Sequence, residues 1–158
     1  MGTGKTAVGK KLAKSLKFEF VDIDDLIVQK EKRTITDIFS QSGEPYFRKV
    51  EKEALREISR QVMLVVSCGG GIVIDAENIA LMKQKGKIIA LTARPEVIFE
   101  RTKKSTHRPL LNVADPINRI EELLLARKPY YEKAQALIDT SDLSVKQVVK
   151  NILELIKE

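Results

Sequence analysis

The chain has 158 residues, with 28 Lys+Arg, 22 Asp+Glu, a single Cys and 43% hydrophobic residues, which fits one globular domain and excludes a disordered segment or a disulfide-stapled scaffold. The formal net charge of +6 favours anionic partners: nucleotides, small acids or nucleic acid. Apolar runs at 62–66 and 88–91 are too short to span a bilayer, and the basic start has no apolar leader segment, so a cytoplasmic protein without a membrane partner is expected.

Along the chain, short β-branched runs alternate with helical stretches. Residues 4–16 read as a helix, with Val8, Leu12 and Leu16 in one apolar stripe. A strand over 18–21 leads to a helix over 24–31 with an acidic first turn. Residues 44–60 form a long helix with Phe47, Val50, Ala54 and Ile58 on one face and Pro45 tolerated in its first turn. A buried strand at 63–66 runs into Cys68 and three glycines, and a helix over 75–84 ends at Gly86. A second buried strand at 88–92 precedes a helix opened by Pro95, and 102–116 reads as a basic loop. Two helices, 116–128 and 129–134, a short strand at 137–138 and a last amphipathic helix capped by Ser144 complete the chain. Strands alternating with helices predict an α/β protein: a three-layer parallel sheet with helices on both faces.

The strongest chemical pattern is at the start. Gly2-Thr3-Gly4-Lys5-Thr6, followed at once by a helix, matches the end of the phosphate-loop pattern G-x-x-x-x-G-K-[ST]. Backbone N–H groups of such a turn point at phosphate oxygens, and the helix dipole favours negative charge there. Lys5 is placed to neutralise the β- and γ-phosphates and the Thr6 hydroxyl to ligate Mg²⁺. A flexible Gly-Thr-Gly leader is the plainer alternative. Asp22-Ile23-Asp24 closes a strand, so alternation sets both carboxylates on one side at the strand's C-terminal end, where open parallel sheets bind ligands. Acids that merely favour a helix dipole are the plainer reading. Gly69, Gly70 and Gly71 stand at the end of the 63–66 strand, and three glycines together favour close approach of a ligand over a simple turn. Cys68 reads as a small buried residue and His107 as incidental surface. Arg48 sits near a helix start, where a cation opposes the dipole; taken alone, it, Arg108 and Arg127 read as solvated cations.

Taken together, Gly2-Thr3-Gly4-Lys5-Thr6, Asp22-Ile23-Asp24, Phe47-Arg48-Lys49-Val50-Glu51, Gly69-Gly70-Gly71, Arg108-Pro109-Leu110-Leu111 and Arg127-Lys128-Pro129-Tyr130-Tyr131 resemble shikimate kinase over nearly the whole chain. The phosphate loop alone is shared by many nucleotide enzymes; the combination at these separations is far more specific. The resemblance implies a P-loop NTPase fold of the nucleoside monophosphate kinase type, with a five-stranded parallel sheet in the order 2-3-1-4-5 and a mobile lid at 102–116. It implies transfer of the γ-phosphate of ATP to the 3-hydroxyl of shikimate, in aromatic amino-acid biosynthesis, with Mg²⁺ as cofactor.

The same resemblance implies residue roles. Asp24 holds and activates the acceptor hydroxyl, and Asp22 meets Mg²⁺ through water. Arg48 and Arg127 grip the shikimate carboxylate, with Glu51 steadying Arg48, while Gly69, Gly70 and Gly71 approach the substrate with backbone groups. Lys5 and Arg108 act on the transferring phosphate, Arg101 lies over adenine, and Asp139-Thr140-Ser141 forms the loop at its edge. A monomer is expected, with shikimate and ATP as partners and no nucleic acid, since the eight aromatics form no stacking platform. Because the sequence opens inside the phosphate loop, the leading glycine and the central first strand are expected to be missing, leaving the 63–66 and 88–92 strands unpaired with each other. Another small-molecule kinase of this fold, acting on gluconate or a nucleoside monophosphate, stays open. So does a truncated, non-catalytic nucleotide-binding protein.

Overall fold

A glycine in the left-handed region starts the first helix. Gly4 (φ 87°) is the N-cap of α1 (Lys5–Leu16) in the computed structural model, which describes residues 2–103, 111 and 113–157. Lys17 turns the chain out of α1 into β1 (Glu19–Asp22). Asp22 ends that strand and is also the N-cap of α2 (Ile23–Glu31), its carboxylate accepting the Asp24 N–H at 3.0 Å. The two carboxylates are therefore not successive outward positions of one strand, as alternation predicted. The helix begins at Ile23, and Asp24 lies in its first turn.

α3 (Ile35–Ile58) is longer than the predicted 44–60 helix and contains a break at Gly43 (φ 79°, ψ 169°). Its first part opens on a reciprocal cap between Thr34 and Asp37. β2 (Leu64–Ser67) leads through the three glycines to a 3-10 turn (Ile72–Ile74), and α4 (Ala76–Lys85) follows, N-capped by Asp75 and closed by Gly86. β3 (Ile89–Thr92) and α5 (Pro95–Thr102), with Pro95 in its first turn, come next. The expected break at Pro129 does not occur: α6 runs unbroken from Pro116 to Tyr131. The carbonyl that Pro129 displaces belongs to Leu125, at a position 75% exposed, where water can hydrate it. β4 (Ala136–Asp139) and α7 (Val145–Leu155) close the fold, the latter capped by Ser144 with Gln147.

All strand pairs are parallel. β1 pairs with β2, in register from Glu19 with Leu64 to Asp22 with Ser67; β3 pairs with β4, from Ile89 with Ala136 to Thr92 with Asp139. Among the described residues β2 and β3 do not pair, as expected. Between them lies a cavity of about 560 Å³ lined by β2, by residues 88–91 and by Val8 and Leu12 of α1.

Alternation along the strands divides the core into two layers. Val21, Leu64 and Val66 pack toward Ile23, Ile27, Ile38 and Phe47 of α2 and α3. Val65, Ile89 and Leu91 pack toward Val8 and Leu12 of α1 and Val148 and Ile152 of α7. A smaller cluster of Ala93, Ile98 and Ile120 joins α5 to α6. Helices thus cover both faces of the parallel strands, and the chain is α/β. Within each pair the strands point the same way, and Asp22, the three glycines, Arg94 and the 139–142 loop stand at or just beyond strand C-terminal ends.

Candidate active site

The phosphate loop lies across the start of α1. Thr3 is 3% exposed, while Thr6 stands in the open with its hydroxyl donating to Asp22 Oδ2 at 3.2 Å. The two residues expected at the metal are thus neighbours, joined across the α1 and β1 ends. Both offer hard oxygen donors of the kind Mg²⁺ prefers, and no group of three or more metal-binding side chains exists among the described residues. That donor set suits an ion held by one hydroxyl, water and nucleotide oxygens.

The three glycines form the floor of a second, charged half. A methyl group added at Gly69 would lie 3.1 Å from Glu51 Oε1 and 3.8 Å from Asp24 Oδ1. At Gly70 it would meet the Tyr131 hydroxyl at 2.7 Å and Arg127 Nη1 at 3.3 Å, and at Gly71 the Arg48 guanidinium carbon at 2.7 Å. The glycine run therefore exists partly because side chains from α2, one turn in the second part of α3 and the end of α6 crowd onto its backbone. Asp24, Arg48, Arg127 and Gly69–71, scattered in sequence, meet here.

Electrostatics follow from burial. Glu51 is 1% exposed, and burial pushes its carboxyl above the usual range even though Arg48 pulls the other way. Arg48 Nη1 donates to Glu51 Oε2 at 2.8 Å, and its Nε and Nη2 donate to Glu44 Oε1 at 3.1 and 2.8 Å. Burial opposes the Arg48 charge, but the Glu51 charge and the bonds from both glutamates outweigh it and raise its affinity for the proton. Arg127 is 7% exposed, and among the described residues its guanidinium makes no hydrogen bond. Cys68, at the mouth of the glycine run, has its thiol pushed up to about 12, chiefly by burial. It also feels the charges of Lys5, Asp22, Asp24 and Glu51, which places the phosphate loop and the charged half around one point.

Tyr131 is the site-lining residue that sequence reasoning gave no role. Its hydroxyl donates to the Gly70 carbonyl at 3.0 Å, fixing the glycine backbone from α6. The signal was its position four residues after Arg127, on the same helix face. Arg101, expected over adenine, lies beside the phosphate loop: it donates to the Thr140 hydroxyl and carbonyl at 3.0 and 2.9 Å, and to the Gly2 carbonyl at 3.5 Å. Arg108 falls outside the described residues.

The chain is similar to known proteins over nearly its whole length. The family model for shikimate kinase matches residues 1–157. A shikimate kinase of Caldanaerobacter subterraneus subsp. tengcongensis is 45% identical over 97% of this chain and 90% of its own length, and one of Thermodesulfovibrio yellowstonii is 46% identical over 98% and 89%. Among solved structures, shikimate kinase from Acinetobacter baumannii in complex with shikimate superposes with a TM-score of 0.95 at 38% identity, covering 99% of this chain and 88% of that one. These matches span nearly the whole chain: it belongs to the shikimate kinase family.

Proposed function

We propose that this chain transfers the γ-phosphate of ATP to the 3-hydroxyl of shikimate, giving shikimate 3-phosphate. What supports this above all is the convergence of Asp24, Arg48 and Arg127 on Gly69–71 beside a phosphate loop. An anionic polyhydroxy acid needs this pairing of fixed cations for its carboxylate with a carboxylate for its hydroxyls. Arg127, buried without a hydrogen-bonding partner among the described residues, has guanidinium donors to offer that carboxylate. Arg48 is held by Glu44 and Glu51 in a fixed pose, so it meets the ligand with little loss of side-chain freedom. A nucleoside monophosphate acceptor would call for a second phosphate clamp and a base pocket. The family match favours neither that acceptor nor gluconate.

In the transfer itself, Asp24 accepts a hydrogen bond from the attacking hydroxyl and takes its proton as the new P–O bond forms and the bond from the γ-phosphorus to the β–γ bridging oxygen breaks, ADP leaving with that oxygen. Backbone N–H groups of Gly2, Thr3 and Gly4 and the Lys5 ammonium hold the β- and γ-phosphates in line with it. Thr6 would hold Mg²⁺ directly and Asp22 through water; the ion supplies neutralisation of phosphate charge. Arg108, from the 102–116 lid, meets the charge that develops on the transferring group. Every side chain assigned here comes from one copy, so a monomer suffices, and cytoplasmic ATP serves as donor. No described helix is long and apolar enough to cross a membrane.

Coupled ADP release measured with shikimate, quinate, gluconate and nucleoside monophosphates tests the reading. Shikimate is expected to stimulate ADP release far more than the others, and Asp24→Asn to lower kcat by about 10²–10⁴-fold with MgATP affinity retained. A better acceptor in the panel, or full turnover in Asp24→Asn, would overturn it.

A further inference from the structure

Thr140 follows β4 and is 2% exposed, yet it carries a hydroxyl. That hydroxyl lies 3.1 Å from the Thr3 carbonyl oxygen and 3.0 Å from the Thr92 carbonyl oxygen, and it accepts from Arg101 Nη1 at 3.0 Å. The Thr92 carbonyl already accepts the Thr140 N–H at 2.8 Å, whereas among the described residues the Thr3 carbonyl accepts no other hydrogen bond, so a hydroxyl proton given to Thr3 leaves both carbonyls satisfied. Thr3 has no other anchor of this kind: its own Oγ1 is buried and without a hydrogen-bond partner among the described residues. We propose that Thr140 is a positioning residue for the phosphate loop, acting on nucleotide affinity through the Thr3 carbonyl.

The reason lies in peptide geometry. In a planar trans peptide the C=O and the next N–H point in opposite directions. Holding the Thr3 carbonyl toward Thr140 therefore aims the Gly4 N–H away from it, into the turn at the α1 N-terminus where a phosphate binds. Gly4 is the residue least able to hold that orientation unaided, since its φ of 87° is one of several conformations open to glycine. Thr140 can serve as the fixed point because its loop is tied down elsewhere. Arg94 makes a two-pronged ion pair with Asp142 at 2.7 Å in each arm, and its backbone N–H donates to Ser141 Oγ at 2.8 Å. Asp139 Oδ1 accepts from the Ser141 N–H at 2.8 Å. The loop is thus bound to the β3–α5 junction and carries that rigidity to the phosphate loop through one hydroxyl.

This inference rests on the proposed ATP-dependent function, and calorimetry with MgATP alone separates the two. Thr140→Val keeps the shape and removes the hydroxyl. It is expected to weaken MgATP binding about tenfold or more, with shikimate affinity and melting temperature close to those of the unmodified protein. Thr140→Ser, which restores the hydroxyl, should recover most of that loss. If Thr140→Val does not fold, Thr140→Ala, which asks for no repacking, takes its place in the same comparison. Unchanged MgATP affinity without the hydroxyl, equal weakening of MgATP and shikimate, or failure of serine to rescue would each overturn the role of Thr140 alone. An unmodified protein that binds no MgATP would overturn the functional reading as well.

Discussion

At Glu51, one carboxylate oxygen holds Arg48 while the other is buried with no hydrogen-bond partner among the described residues. Burial raises its carboxyl, and the nearby Asp24 charge adds to this while Arg48 and Arg127 oppose it. A carboxyl raised in the folded state binds more protons there than in the unfolded chain. Stability therefore falls as pH rises from the ordinary carboxylate range through the raised value, the reverse of the usual salt-bridged acid. Urea unfolding of the unmodified protein and of Glu51→Gln, followed upward from about pH 4, should show this: the stability difference moves in favour of the glutamine variant as pH rises. A difference that moves the other way would mean that Arg48 dominates and that the carboxyl lies below its usual range. The arginines were opaque to local sequence patterns. Charge and spacing alone do not reveal that Arg48 and Arg127, 79 residues apart, share one glycine floor and one buried glutamate; only the family motifs brought them together.

At the scale of elements, α3 shows which local signals suffice. Its second part was legible from the 3.6-residue stripe of Phe47, Val50, Ala54 and Ile58, all of them buried. Its first part was not assigned from the sequence although Thr34 and Asp37 form a capping pair, and Gly43 and Pro45, residues that often punctuate segments, follow it. They are punctuation, but inside one element. Gly43, at φ 79° and ψ 169°, redirects the helix, and the following turn presents Arg48 and Glu51 to the site. That backbone region is nearly closed to other residues, so Gly43→Ala should destabilise the protein by about 1–3 kcal/mol in urea unfolding. In an unbroken helix the same change would stabilise by roughly 0.5–1 kcal/mol, so the sign of the effect decides whether the break is built in. The strand-to-helix junction at Asp22 misled for a related reason. Period-two alternation has no way to register that the last strand residue also caps the next helix.

For the molecule as a whole, the layer order and the covering of both sheet faces were readable from alternating strands and amphipathic helices. The lack of pairing between β2 and β3 followed from the family order, not from any local pattern. The cavity between them leaves a mark on backbone dynamics. Within a parallel strand, successive residues send their N–H groups to opposite edges. The Met63 carbonyl accepts from the Glu19 N–H, so Met63 and Val65 face β1, while Leu64 and Val66 face the cavity. On the other side the Ile88 carbonyl accepts from Gln135 and Ala136, so Ala90 faces β4 while Ile89 and Leu91 face the cavity. Amide hydrogen exchange should therefore alternate residue by residue, slow at Val65 and Ala90 and fast at Leu64, Val66, Ile89 and Leu91. Such a two-residue rhythm inside apolar strands is foreign to an ordinary buried sheet, whose central amides exchange only with global opening. Uniform protection along both strands in solution would mean that the edges facing the cavity are hydrogen-bonded to an extended segment lying between them.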